Sequence, residues 1–137
     1  MKLLVLTSEP ITARQLQDVL PAHLDPRQAE VAVVAPALHD NALRFWLSDA
    51  DEAIARAEEV RRATVESLDD ANVTASSDTG ESDPIDAIED ALRTFDADRI
   101  VVFTHPDRAQ RYRERVDPRL LEDQFGIPVD QAVVSSA

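Results

Sequence analysis

At 137 residues, with 44% hydrophobic side chains, the chain is long enough for one domain, 1–137, with a core of its own. It carries 27 acidic against 14 basic residues, a formal charge of −13, which repels phosphate backbones and anionic lipid and argues against nucleic acid or membrane as partners. The absence of Cys removes disulfides, thiolate metal sites and a cysteine nucleophile, and points to the cytoplasm.

Lys2 is the only lysine, and Asp is favoured over Glu. That bias fits either a salty cytoplasm or a GC-rich genome, and composition does not separate the two. No apolar run approaches the length of a membrane span. The opening Leu3-Leu4-Val5-Leu6 is cut short by Ser8-Glu9-Pro10, so it reads as a strand rather than a leader or anchor.

In chain order, Lys2–Thr7 (KLLVLT) is a first strand, and Ile11–Leu20 a helix with Leu16, Val19 and Leu20 on one side. Val31–Ala35 (VAVVA) is a second strand. The least regular connection, Pro36–Ser48, follows and holds Phe45, Trp46 and Leu47. Asp49–Asp70 is the longest helix, with Ala50, Ala53, Ile54, Ala57, Val60, Thr64 and Leu68 at three-four spacing. Val73–Asp78 is a third, more polar strand, and Ser77–Asp83 a polar loop that includes Gly80. Asp83 caps the next helix, with Pro84 at its first position and Ile85, Ile88, Leu92 and Phe95 as the buried stripe. Arg99–Thr104 (RIVVFT) is a fourth strand. Arg108–Val116 reads as helical, a new helix starts at Asp117-Pro118 and ends at Phe125-Gly126, and Val129–Val134 is the last strand.

Continuous apolar runs suit strands covered on both faces, and polar strands suit edges. Strands alternating with helices therefore predict a doubly wound three-layer α/β/α sandwich around a five-stranded parallel sheet, in the order 3-2-1-4-5. In that order the chain reverses direction between strands 1 and 4, whose carboxyl ends open a crevice.

Across that crevice Thr7, Ser8 and Glu9 face Thr104, His105 and Asp107, with Pro36 at the end of the second strand. His105 is an acid–base group or ligand in one reading. In the plainer one, His105-Pro106-Asp107 shapes a turn and Asp107 caps the next helix. Ser8, His105 and Asp107 are triad residue types, but nothing like a nucleophile elbow surrounds Ser8. Glu9, His105 and Asp107, with His39, are metal-ligating types at no recognised spacing. Arg108, Arg111 and Arg115 share a helix face, where they hold a phosphate or carboxylate, or form solvated ion pairs with Asp107, Glu114, Asp117, Glu122 and Asp123. Phe45, Trp46 and Leu47 are a partner anchor, a lid, or a cluster packed on the domain edge. His23 and His39 read as loop residues.

The segments KLLVLT, ADEAIARAEEVRRATVESL, GESDPIDAIEDAL, ADRIVVFT and GIPVDQAVV, in that order, resemble the universal stress protein family across nearly the whole chain. The resemblance implies that family's fold, of the adenine-nucleotide alpha-hydrolase-like type, and a homodimer built near the last strand. ATP-binding members end the first strand on an acidic residue and place a glycine-rich loop after the fourth. Here Glu9 is a displaced acid, and the loop position holds HPDRAQRYRERVDP, without glycine. Gly80 and Gly126 have turn and cap explanations. The expectation is a non-enzymatic regulatory or stress-related binding protein with a homodimeric or other protein partner and no ATP or AMP held in the family manner. The alternatives are a nucleotide or small-anion binder using Thr104, Ser8, Arg108 and Arg111, and, third, a hydrolase using His105.

Overall fold

The computed structural model describes residues 1–38, 51–80, 83–105 and 116–134. In chain order its elements are β1 (Lys2–Thr7), α1 (Ala13–Val19), a 3-10 turn (Pro26–Gln28), β2 (Glu30–Pro36), α2 (Asp51–Asp70), β3 (Thr74–Gly80), α3 (Pro84–Leu92), β4 (Arg99–Thr104), α4 (Pro118–Phe125) and β5 (Val129–Val133). The strands form one parallel sheet in the order β3-β2-β1-β4-β5, as the sequence predicts.

Side chains that alternate along each strand sort the core into two layers. Leu3, Val5, Val101 and Phe103 pack with Leu16 and Leu20 at α1 and Leu68 of α2. Leu4, Leu6, Ile100 and Val102 pack with Ala87 and Ile88 of α3 and Leu121 of α4. Both faces of β1 and β4 are thus covered, which is why their sequences are apolar at every position rather than at alternate ones. A third cluster joins Ala35 and Ala37 to Ala53, Ala57 and Val60 of α2, where small side chains let the helix lie close to β2.

Local signals set the helix limits. Asp83 accepts hydrogen bonds from the Ile85 and Asp86 amides at 2.9 and 3.4 Å, with Pro84 at the first helical position. Asp117 accepts from the Arg119 amide at 3.0 Å in the same manner. Gly126 closes α4 with φ of 67°, a left-handed conformation that other residues reach only with strain. Asn72, at φ of 64°, turns the chain from α2 into β3. Before β2, the Arg27 amide and then its side chain hydrogen-bond Asp25 and hold that carboxyl below its ordinary range.

The structure corrects three expectations. Ile54 is 40% exposed and does not belong to the buried stripe of α2. Ala53, Ala57, Val60, Thr64 and Leu68 carry that stripe, and Ile54 stands about 100° round the helix from Ala53. β3 runs on through Gly80, into what reads as a polar loop, because seven of its residues pair with β2, from Glu30↔Thr74 to Pro36↔Gly80. Main-chain pairing outweighs side-chain polarity on an edge strand. On α3, Ala87 is buried, whereas Ile85 and Leu92 are only partly so. Ala50, the Phe45-Trp46-Leu47 cluster, His39 and all of the expected Arg108–Val116 helix but Val116 lie outside the described residues. Among the described residues, no helix is long and apolar enough to cross a membrane.

The α2 assignment yields a paired test by urea denaturation. Leu68→Ala, at a fully enclosed position, is expected to lower the unfolding free energy by about 2–5 kcal/mol. Ile54→Ala, on the same helix, should change it by no more than about 0.5 kcal/mol.

Candidate functional site

The sheet order puts β1 beside β4 with Thr7 in register with Phe103, so both strands deliver their carboxyl ends to the same point. The described residues hold five buried polar side chains, and four of them, Thr7, Ser8, Thr104 and His105, lie at these two strand ends. Polar groups are costly to enclose without partners, so among the described residues this concentration marks where the core departs most from apolar packing.

The β1 side is built by a run of local ties. The Ser8 amide donates to the Phe103 carbonyl at 3.3 Å, which carries the β1–β4 ladder one residue past the strand. The Thr7 hydroxyl donates to the Glu9 carbonyl, and the Glu9 amide approaches the same hydroxyl oxygen at 3.4 Å. Pro10 follows, with a restricted φ and no amide hydrogen to satisfy. The Ile11 amide then donates to the Thr64 hydroxyl of α2 at 3.3 Å, a buried contact. Thr12 starts α1 with a reciprocal capping box. Its hydroxyl accepts from the Gln15 amide at 3.2 Å, and the Gln15 side chain accepts from the Thr12 amide at 2.8 Å. Residues 7–12 are therefore held from both ends.

This path brings Glu9 to His105. Glu9 Oε1 lies 2.7 Å from His105 Nε2, with side chains 19% and 4% exposed. With Glu9 ionised, its carboxylate can only accept, and Nε2 is then the donor in this contact. The bond fixes the ring orientation whether the imidazole is neutral or charged, and becomes an ion pair when the ring is protonated. His105 is a buried imidazole whose partner comes from the other strand.

Thr104 goes the other way. Neighbouring residues on a strand point to opposite faces, and the Thr104 hydroxyl accepts from Gln131 Nε2 of β5 at 3.4 Å. Its carbonyl accepts from the Val134 amide at 2.7 Å. Pro36 is buried at the end of β2, in register with Gly80, on the side of the sheet away from β4. Of the expected site residues, Thr7, Ser8, Glu9 and His105 come together, while Thr104 bonds towards β5 and Pro36 lies at the end of β2 beside β3. Asp107, Arg108 and Arg111 lie outside the described residues, as does the Asp107 of the triad and metal readings. Among the described residues, no group of three His, Cys, Asp or Glu side chains is placed to hold a metal ion. His23 is exposed in a loop.

Two contributors escaped the sequence reading. Thr64 reads as one more residue of the α2 stripe, although a hydroxyl in a row of Ala, Val and Leu is itself a signal of a buried acceptor. The Thr12-x-x-Gln15 spacing carries the capping box openly.

The fold is shared with a solved structure, that of hypothetical protein MJ0577, a test case for structure-based assignment of biochemical function. It matches with a TM-score of 0.65 and 11% identity over 99% of this chain and 97% of that one. The likeness extends to the whole architecture, a five-stranded parallel α/β fold. No protein-family model matches the chain, and no curated protein does.

Replacing Thr64 by Val keeps the shape of the side chain but leaves the enclosed Ile11 amide without its acceptor. Thr64→Val is expected to cost about 1–3 kcal/mol of stability by chemical denaturation. It should also speed amide exchange at residues 9–12 relative to the rest of the sheet, the mark of a loosened loop.

Proposed function

We propose that this chain is a regulatory or stress-related binding protein of the universal stress protein type that acts without catalysis and does not hold ATP in the family manner. The observation that carries the reading is the Glu9–His105 contact at the meeting point of β1 and β4. Phosphates bound at such a point are held by main-chain amides that approach closely, which glycine permits. Here a carboxylate stands at that point, and residues 105–118 contain no glycine. Side-chain bulk where glycine would be needed opposes the close main-chain approach that a triphosphate requires.

Thermal unfolding with Mg·ATP or AMP at millimolar concentration is expected to leave the melting temperature unchanged. Bound ligand at a hundred times its dissociation constant adds about 2.7 kcal/mol, an effect easily seen. A clear rise with ATP, lost in Glu9→Ala and His105→Ala, would instead place the nucleotide at this point and sink the reading.

A second reading, a small-anion or nucleotide binder, draws support from the buried Thr7, Ser8 and His105 side chains gathered at the strand ends. In it, Arg108 and Arg111 supply the positive charge that glycine amides supply elsewhere. The same unfolding assay with inorganic phosphate decides it: a rise that Arg111→Ala removes favours this reading over the first. The hydrolase reading requires ester or phosphoester turnover that His105→Ala abolishes.

Homodimerisation belongs to the proposal as well. β5 is an edge strand, and Val133 on it and Leu120 on α4 are 64% and 62% exposed. Two such edges meeting would cover apolar surface and complete unpaired main-chain groups. Sedimentation should show a concentration-dependent dimer that Val133→Asp shifts to monomer.

A further inference from the structure

The charge of this protein is placed as unusually as it is composed. Each helix leads into the next strand, so in a parallel sheet all helix C-termini lie at the end where the strands begin, opposite the Glu9–His105 site. A helix C-terminus carries a partial negative charge, and a basic residue in its last turn normally offsets it. None of the four described α-helices has a basic residue there. Each has an acidic one instead: Asp18 in α1, Asp69 and Asp70 in α2, Asp90 in α3 and Asp123 in α4.

Few cations answer them. At the same end of the sheet Arg27 is engaged by Asp25 at 3.3 Å and Arg99 by Asp130 at 2.7 Å. Arg93, just beyond α3, pairs with Asp90 at 3.2 Å and relieves that helix alone. Within α2 the bases sit earlier: Arg56 pairs with Glu52, and Arg62 bridges Glu59 and Glu66. The last turn of α2 is left with two adjacent exposed carboxylates at its negative end.

We propose that this arrangement makes the native fold an ionic-strength-dependent one, strained at the helix C-terminal end in dilute salt and firm in concentrated salt. Exposed charges repel over a Debye length of about 10 Å at 0.1 M and only about 3 Å at 1 M, so salt relieves like-charge contacts first. The α2 terminus is the weakest point, because screening there removes both the Asp69–Asp70 repulsion and their unfavourable alignment with the helix dipole.

Thermal unfolding followed by circular dichroism across a KCl series tests this on the full chain. From about 0.05 M to about 1 M KCl, the melting temperature is expected to rise on the order of 10 °C. The double variant Asp69→Asn/Asp70→Asn should melt about 3–5 °C above wild type in dilute salt and gain less from added KCl. Asp51→Asn, which removes an acid from the favourable end of the same helix, should melt at or below wild type in dilute salt. A melting temperature that is flat or falls across the series overturns the proposal. So does a double variant no more stable than wild type in dilute salt. An Asp51→Asn gain matching that of the double variant overturns it too, since net charge rather than placement would then be at work.

Discussion

The pairing of β1 with β4 is the constraint on which the molecule depends. Leu3 to Leu6 and Ile100 to Phe103 are at most 2% exposed, so neither strand can leave a face in water. Two adjacent parallel strands buried on both sides require helices above and below, and long crossovers to carry the chain back. The order of the remaining strands follows. β2 and β3 extend one side and β5 the other, and the polar strands fall at the edges, where an uncovered face is tolerated.

Among the described residues, the same pairing creates the place where most buried polar side chains gather. When two neighbouring strands send their chains in opposite directions, their carboxyl ends are left with a gap that no crossover covers. Here that gap receives Glu9 from one strand and His105 from the other, joined at 2.7 Å. The Ser8–Phe103 main-chain bond and the Ile11–Thr64 bond hold the first of these in place. The site is thus tied to the long helix α2 as well as to the sheet, and a change in α2 packing reaches Glu9 through one hydroxyl.

A second asymmetry runs along the strand axis. The parallel topology gathers helix N-termini at the carboxyl end of the sheet and C-termini at the amino end, so the fold has an electrostatic direction before any charged side chain is counted. The acidic last turns deepen the negative end. The fold stays compact in spite of that repulsion because the two apolar layers on either side of β1 and β4 are continuous.

The sequence by itself determined the architecture. Unbroken apolar runs identify β1 and β4 to the residue, Asp83-Pro84 and Asp117-Pro118 mark helix starts, and Gly126 marks a helix end, because each is a local preference acting over a few residues. What only the tertiary structure decided depends on distance through space. Glu9 and His105 are 96 positions apart; the expected strand order sets them across one crevice, but only the structure joins their side chains at 2.7 Å. Whether Ile54 faces the core is set by how α2 rolls on β2, and Gly80 becomes strand because β2 offers it a partner. Thr104, next to His105 in the chain, turns to β5 because alternate residues on a strand face opposite ways, a fact that acquires meaning only once the neighbouring strands are in place.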